Sequence, residues 1–385
     1  MQKSTIKFLI FLFIPLCILQ AGIIFFSIRK SATTVGKELS TQRGAQLLHP
    51  QGDIQPLTKT EPEEEQKQEI EQTKEEEVKI PAIKFLFFGD MMLDRNVGKQ
   101  IKDKGLDYLF EKLAGQENNF FQGIDLIGCN LEGAVTNNGA HYAPQMAYDF
   151  AFNPDLINQL KKYNFNFFNT ANNHLSDQGK KGVGETEKNL DEMNFNHSGS
   201  VDGTIDDCSS TIVDISGKKI GMAGFSAVYT KLDKEKLKTK IKDLADSTDL
   251  VIVNIHWGIE YANKFNKTQQ DLAHTLIDSG ADIIIGHHPH VTQGIEIYNN
   301  KPIFYSLGNF IFDQYFSKET QESFAVGINI EDEKTSIFIY PLKSKLSQTE
   351  LMEGKEREEF LKNLVDWSEV DEEYAEEIKS GRIEL

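Results

Sequence analysis

From residue 83 onward the sequence repeats one pattern: a short apolar run that stops at a residue able to ligate a metal or move a proton. Ile83–Phe88 runs into Gly89-Asp90, Ile124–Cys129 into Asn130-Leu131-Glu132, and Asn166–Ala171 into Asn172-Asn173-His174. Leu250–Ile255 runs into His256-Trp257-Gly258, and Asp282–Gly286 into His287-His288-Pro289-His290. Runs this short, bounded by polar turn residues, fit buried strands. Helical patterns lie between them, at Pro154–Tyr163, Gly179–Met193, Asp233–Ala245 and Gln269–Ser279. Strands alternating with helices define an α/β domain. Gly294–Tyr298, Pro302–Ser306, Phe324–Ile330 and Ser336–Tyr340 read as further strands. Asn299-Asn300 predicts a hairpin between the first two, and the four together predict a second, more antiparallel sheet.

The ends of the chain differ from this middle. Ile6–Ile28 is apolar for about 20 residues after Lys7, the length that spans a bilayer. It lacks the short apolar region and small-residue cleavage site of a removable signal peptide. Residues 1–30 are therefore expected to be an uncleaved, single-pass membrane anchor. Residues 31–80 show no sustained apolar periodicity, and 61–80 carry nine Glu against three Lys. This reads as an acidic, self-repelling, disordered linker. Residues 81–348 form the predicted domain. Residues 349–385, with thirteen acidic and five basic side chains, are expected to form an acidic helical tail. Phe360, Leu361, Leu364 and Val365 give that tail a short apolar stripe.

Charge and cysteine content exclude some classes. The formal net charge is −18, which argues against nucleic acid as a partner, since phosphate backbones are gripped by basic patches. Three cysteines, one inside the N-terminal apolar run, are too few for a disulfide framework.

The residues at the strand ends carry the chemistry. In open α/β sheets, sites form beyond the carboxyl ends of strands. Any one of these residues alone is an ordinary turn, cap or buried hydrogen-bonding group. Five clusters of ligand types at five strand ends are not. Three histidines within four residues, after a strand, are hard to bury neutrally. Imidazole and carboxylate together suit Zn, Mn or Fe rather than Ca or Mg. One or two such ions would polarise a phosphoryl or carbonyl oxygen and acidify water. Arg95 could neutralise an anionic substrate with its bidentate guanidinium. Glu260 and Asp177 could orient ligand imidazoles.

GDMMLDR (89–95), NLEGAVT (130–136), ANNHLSDQG (171–179), HWGIEY (256–261) and GHHPHVTQGIEIYNNKPIFYSLGNFIFD (286–313) occur in order. This set resembles the CapA family of capsule-synthesis proteins, whose relatives include a component of poly-γ-glutamate synthesis. The resemblance spans roughly 83–345. The family looks like a branch of the calcineurin-like metallophosphoesterases, which implies a four-layer α/β/β/α sandwich of two mixed sheets.

By that resemblance Asp90 and Glu132 hold the first metal, with Glu132 in the bridging position. Asn173 and His256 hold the second, His288 and His290 match the closing histidine pair, and His287 replaces the usual glycine. His174 takes the place of the catalytic acid or substrate-contacting histidine. The sequence departs at Met92, where phosphoesterases carry a histidine ligand. The expectation is a membrane-anchored, metal-dependent hydrolase or transferase with its domain outside the cytoplasm. Its partners would be an anionic surface polymer or its precursor and other capsule-synthesis subunits. Two alternatives stand beside it: a non-catalytic component of the synthesis complex with a structural metal, and a general metallophosphoesterase.

Overall fold

The computed structural model describes residues 82–385 apart from Glu333. The anchor expected over 1–30 and the linker expected over 31–80 lie outside the described residues. Among the described residues no helix is long and apolar enough to cross a membrane.

In chain order the strands are β1 (Ile83–Met91), β2 (Leu126–Leu131), β3 (Ala134–Val135), β4 (Ala151–Phe152), β5 (Phe165–Asn169) and β6 (Asn196–Ser198). There follow β7 (Ser210–Ile215), β8 (Lys218–Ser226), β9 (Leu250–His256), β10 (Ile283–His287), β11 (Ile295–Tyr298) and β12 (Lys301–Phe304). The last are β13 (Asn309–Ile311), β14 (Glu322–Glu331), β15 (Lys334–Lys345), β16 (Gln348–Leu351) and β17 (Arg382–Glu384). The helices are α1 (Arg95–Lys104), α2 (Asp107–Ala114), α3 (Pro154–Gln159), α4 (Gly179–Glu192), α5 (Lys234–Ala245), α6 (Lys267–Asp278), α7 (Gly354–Trp367) and α8 (Glu372–Ser380).

Two large sheets result. The first runs β16-β15-β14-β1-β2-β5-β6, with β13 on β1 and β17 on β15. The second runs β11-β12-β10-β9-β8-β7. The expected division into a parallel and a more antiparallel sheet does not hold. β14 extends the first sheet antiparallel to β1, with β15 antiparallel to β14 beyond it, whereas β12 extends the second, parallel to β10. Both sheets are therefore mixed, because each parallel core leaves an edge that a later strand completes. The hairpin at Asn299-Asn300 is present, joining β11 to β12. Both of its turn residues have positive φ, as a tight hairpin turn requires.

Three apolar layers separate four structural ones. Phe85 and Phe87 of β1 pack against Met222, Ile252 and Ile285 of the second sheet. On the outer face of the first sheet, Leu86 and Phe88 meet Val97, Leu109 and Phe110 of α1 and α2. On the outer face of the second, Val251, Val253 and Ile255 meet Leu237, Ile241, Ala273 and Leu276 of α5 and α6. The central strands β1, β2, β9 and β10 are thus buried on both sides, which is why their runs are apolar throughout instead of alternating.

The acidic tail expected from residue 349 is built into the domain. β17 pairs with β15, and Phe360, Leu361, Leu364 and Ile378 join the layer between the sheets. Ser368 Oγ accepts from Ile295 N at 2.8 Å, and Glu369 N donates to Ile295 O at 3.0 Å, fastening the end of α7 to β11. The stripe read from the sequence is the buried face of α7, and exposed acidic side chains such as Glu358, Glu359 and Asp366 lie away from it.

Candidate metal centre

Strand parity brings the polar residues together. On β9, Val251, Val253 and Ile255 face outward, leaving Ile252, Asn254 and His256 on the inner face. On β10, Ile283 and Ile285 face inward, and His287 continues that series. On β2, Ile127, Cys129 and Leu131 face outward, so Leu126 and Asn130 face inward. β1 would break the scheme, since Phe85 and Phe87 face inward and Asp90 is one step out of phase. Its pairing with β2 shifts register between Phe87 and Asp90, and Met91 then lies in the outer layer. Such a shift reverses facing, turning Asp90 inward. Pairing of β10 with β9 sets His287 beside His256.

Asn130 is the hub of the cluster. Its Nδ2 lies 2.8 Å from Asp90 Oδ1, 3.3 Å from Glu132 Oε2 and 3.2 Å from His256 Nδ1. An amide has only two N–H groups for these three partners. The far side of the His256 ring holds a second group: His256 Nε2 is 2.8 Å from Asn173 Oδ1 and 3.2 Å from His288 Nδ1. His288 N donates to Asp90 Oδ2 at 3.2 Å. His290 Nδ1 is 3.5 Å from Asp90 Oδ2, and its Nε2 is 3.7 Å from Glu132 Oε1.

Asp90, Glu132 and His290 form a set whose ligand atoms lie within 4.8 Å of one another, as do Glu260, His288 and His290. Two of the buried atoms without a hydrogen-bond partner belong to this cluster: Glu132 Oε1 and His287 Nδ1. Both lie close to other members of the cluster, His287 Nδ1 at 3.6 Å from Asp90 Oδ1. The cluster is rich in acceptors and short of donors, and buried polar atoms left in that state are costly. A divalent cation answers that deficit, so the donor set fits the metal that the sequence implied.

Burial and mutual charge shift these groups apart. Burial pushes the Glu132 carboxyl well above its ordinary range, with His290 opposing and Asp90 reinforcing the shift. Burial also raises Asp90, but the hydrogen bond from His290 and the charges of His287 and His290 hold it below the usual value. Burial takes His256 far down, and takes His287 to about 4 and His288 to about 3. His290 goes the other way, to about 9, because Glu132 and Asp90 outweigh its burial. The metal-free chain therefore holds a proton on His290 at neutral pH, where a ligand imidazole must be neutral. Loading of the position that includes His290 is expected to release about one proton near pH 7.5. Calorimetry in buffers of different ionisation enthalpy reads this, and uptake without proton release would contradict it.

A cleft of about 520 Å³ opens onto the cluster, lined among others by Asn173, His174, Glu260, His290 and Arg95. His174 stands on its floor. Its Nδ1 is 2.7 Å from Asp177 Oδ2, its Nε2 is 3.8 Å from Glu132 Oε1, and its ring packs on Phe150 at 4.3 Å. Asp177 is thus the orienting carboxylate for His174, while Glu260 stands with the ligand-type groups. Arg95 lies on the wall, but Asp313 engages its guanidinium through Nε at 3.1 Å and through Nη2. Arg95, Tyr261, His288 and His290 all have positive φ. For side chains other than glycine this is uncommon, and four of the thirteen such residues among the described ones lie at the cluster or its cleft.

The structure gathers Asp90, Glu132, Asn173, His174, His256, His288 and His290 into one cluster, with Arg95 at its mouth. Met92 is fully buried in the outer apolar layer and contributes nothing to the cluster. Four further residues were not assigned individually as ligands or catalytic groups from the sequence, although His287 was read as part of the histidine cluster. Asn130 is the hub, His287 offers an orphaned nitrogen, Asn309 Oδ1 lies 3.0 Å from His290 Nδ1, and Asp313 fixes Arg95. Asp313 could have been found, because it ends the apolar run Phe310–Phe312 as the other site residues end theirs.

Comparison with known proteins agrees with the motifs. A capsule biosynthesis protein CapA of Bacillus anthracis is 31% identical over 274 residues, covering 66% of this chain and 66% of that protein. The PGA biosynthesis protein CapA of Bacillus subtilis (strain 168) is 34% identical over 267 residues, covering 66% of this chain and 69% of that protein. A solved structure of a hypothetical protein from Thermus thermophilus aligns at 15% identity with a TM-score of 0.47, covering 68% of this chain and 100% of its own. The family model described as bacterial capsule synthesis protein PGA_cap matches residues 84–314, which hold every member of the cluster. This chain belongs to that family of bacterial capsule synthesis proteins.

Proposed function

We propose that this chain is a membrane-anchored, metal-dependent hydrolase or transferase acting on an anionic surface polymer, poly-γ-glutamate or its precursor. The observation that carries the proposal is the acceptor-rich cluster around Glu132, whose orphaned Oε1 faces His290 and His174 at the foot of an open cleft. Family membership and the names of the two CapA relatives support the polymer. The length of the apolar run 6–28 and the hydrophilic stretch after it support the anchor and a domain outside the cytoplasm. The layered arrangement of two mixed sheets supports kinship with the calcineurin-like metallophosphoesterases.

Asp90, Glu132 and His290 would hold one metal position, and Asn173, His256 and His288 a second. Zn, Mn or Fe in those positions supplies Lewis acidity toward a phosphoryl or carbonyl oxygen and toward water. Asp177 fixes the His174 ring, so that Nε2 faces the reacting groups and can pass a proton to the group that leaves. Asp313 holds Arg95 at the cleft wall, where its remaining N–H groups can meet an anionic group of the polymer. The scissile bond is an ester, phosphoester or γ-glutamyl amide.

The test is metal content of the full chain, purified without chelators, beside His288→Ala. One or two equivalents in the parent, lost in the variant, are expected. A folded parent that takes up no metal on reconstitution would overturn the proposal. The second reading, a non-catalytic component of a synthesis complex, rests on the burial of Met92 where a ligand histidine is usual. It predicts normal polymer synthesis with His174→Ala.

A further inference from the structure

The cleft continues beyond the metal centre on two sides. Tyr229, 79% exposed, lines both the cleft and a neighbouring hollow of about 540 Å³ that Ile259 and Lys231 help to bound. Phe316, 67% exposed, lines both the cleft and a different hollow of about 530 Å³ that includes Lys345. Strand order puts the two on opposite flanks. Tyr229 follows β8, which lies across β9 from β10. Phe316 follows β13, which pairs with β1, and Glu322–Glu331, two short steps later, takes the edge of β1 opposite β2. A Cβ on Gly224 of β8 would meet Asn169 of β5, so β8 stacks over the far end of the first sheet from β14. The metal cluster on β1, β2, β9 and β10 sits between.

Each hollow is of a size that holds a drug-sized ligand by itself. Three in series exceed what a single small phosphate ester could fill. Tyr148, Tyr229, Tyr261 and Phe316, four of the eight exposed large apolar side chains among the described residues, line the central cleft. Exposed apolar groups concentrated in this way mark a binding surface. Charge favours an anionic occupant on both flanks despite the acidity of the chain. Lys231 and Lys345 are exposed, and neither pairs with a carboxylate among the described residues.

We propose that the site takes an anionic linear polymer as a strand running through it, from the hollow at Tyr229 to the hollow at Phe316. The metal centre then faces bonds inside the polymer, not its end. The aromatic posts pack on the polymer backbone, and Lys231 and Lys345 meet its charges on either side. The inference rests on the polymer reading above and adds where and how the polymer lies.

The test measures affinity of the metal-loaded full chain for a γ-linked glutamate dimer and decamer. The decamer is expected to bind at least about tenfold more tightly. Tyr229→Ala with Lys231→Ala on one flank, and Phe316→Ala with Lys345→Ala on the other, are each expected to weaken the decamer about tenfold and the dimer much less. The decamer should also show the steeper salt dependence. Equal affinity for both lengths would overturn the inference, as would sensitivity to one flank alone, which describes a site for chain ends. A chain that holds metal and binds neither oligomer would instead remove the polymer reading itself. All four substituted side chains are exposed, so unchanged thermal unfolding of the variants separates lost contacts from lost fold.

Discussion

Glu132→Gln is expected to lose metal while its metal-free fold becomes more stable. The two effects share one cause. In the metal-free chain Glu132 is fully buried, Oε1 has no partner, and its only close cations would be protonated imidazoles. Burial raises its pKa, and Asp90 adds repulsion. A group whose folded pKa lies above its unfolded value stabilises the fold fully below the unfolded value, near 4.5 here. That contribution is lost as pH rises through the folded value. Removing the charge is therefore worth most at neutral pH. An unsatisfied buried partner costs about 1–3 kcal/mol, so melting of the metal-free variant should rise by a few degrees.

Metal affinity should move the other way and further. Loss of groups that only support a ligand costs about 10–100-fold, and loss of a carboxylate ligand should cost at least about 100-fold. Any metal-dependent turnover should fall with it. Titration of the metal-free parent and variant with Zn or Mn, alongside thermal unfolding with and without the ion, reads both effects. A variant that binds metal as the parent does would remove Glu132 from the centre. A variant that melts lower without metal would show that Glu132 is satisfied by the protein alone.

Which residues meet was legible in this sequence wherever the same local rule applied. Asp90, His256 and the histidines of 287–290 each close an apolar run, and in α/β sheets sites form beyond the carboxyl ends of strands. Asn130 was not legible, because its importance lies in three neighbours, from β1, the residue following β2, and β9, separated by up to 126 residues. Nor was the state of Arg95. A lone arginine after a strand reads as free for an anion, and only the fold brings Asp313, 218 residues on, to its guanidinium. The hairpin of β7 and β8 escaped the reading for a related reason. β7 is a partly exposed edge strand, so its sequence, STIVDI, lacks the continuous apolar character that identified the others. The assignment of late strands to sheets failed because pairing at a sheet edge depends on which edge remains open, and no local pattern records that.

Gly89→Ala is expected to damage the fold more than any single substitution of a cluster residue. A Cβ at Gly89 would lie 1.8 Å from the carbonyl oxygen of Gly308 and 2.9 Å from its carbonyl carbon. The obstacle is backbone, which cannot rotate aside. That carbonyl also accepts from Asp90 N at 3.0 Å, and the same contact sets Asp90 beside Asn309 in the pairing of β1 with β13. Relief requires β13 to move away from β1 by more than about 1 Å in a layer where Leu307, Phe310 and Ile311 are fully buried. Overpacking of this kind costs about 3 kcal/mol or more, which should lower the melting temperature by roughly 10 °C or prevent folding. Chains that do fold should bind metal weakly, since the displaced strand carries Asn309, the partner of His290. Gly184→Ala is the control. It lies in α4, where an added Cβ meets nothing within 4 Å, so it should stabilise by about 0.5–1 kcal/mol. Urea unfolding of both variants beside the parent gives opposite shifts if β1 and β13 are held this closely. An unshifted midpoint for Gly89→Ala would mean that the two strands have slack, and that Asp90 is aimed by its bulge alone.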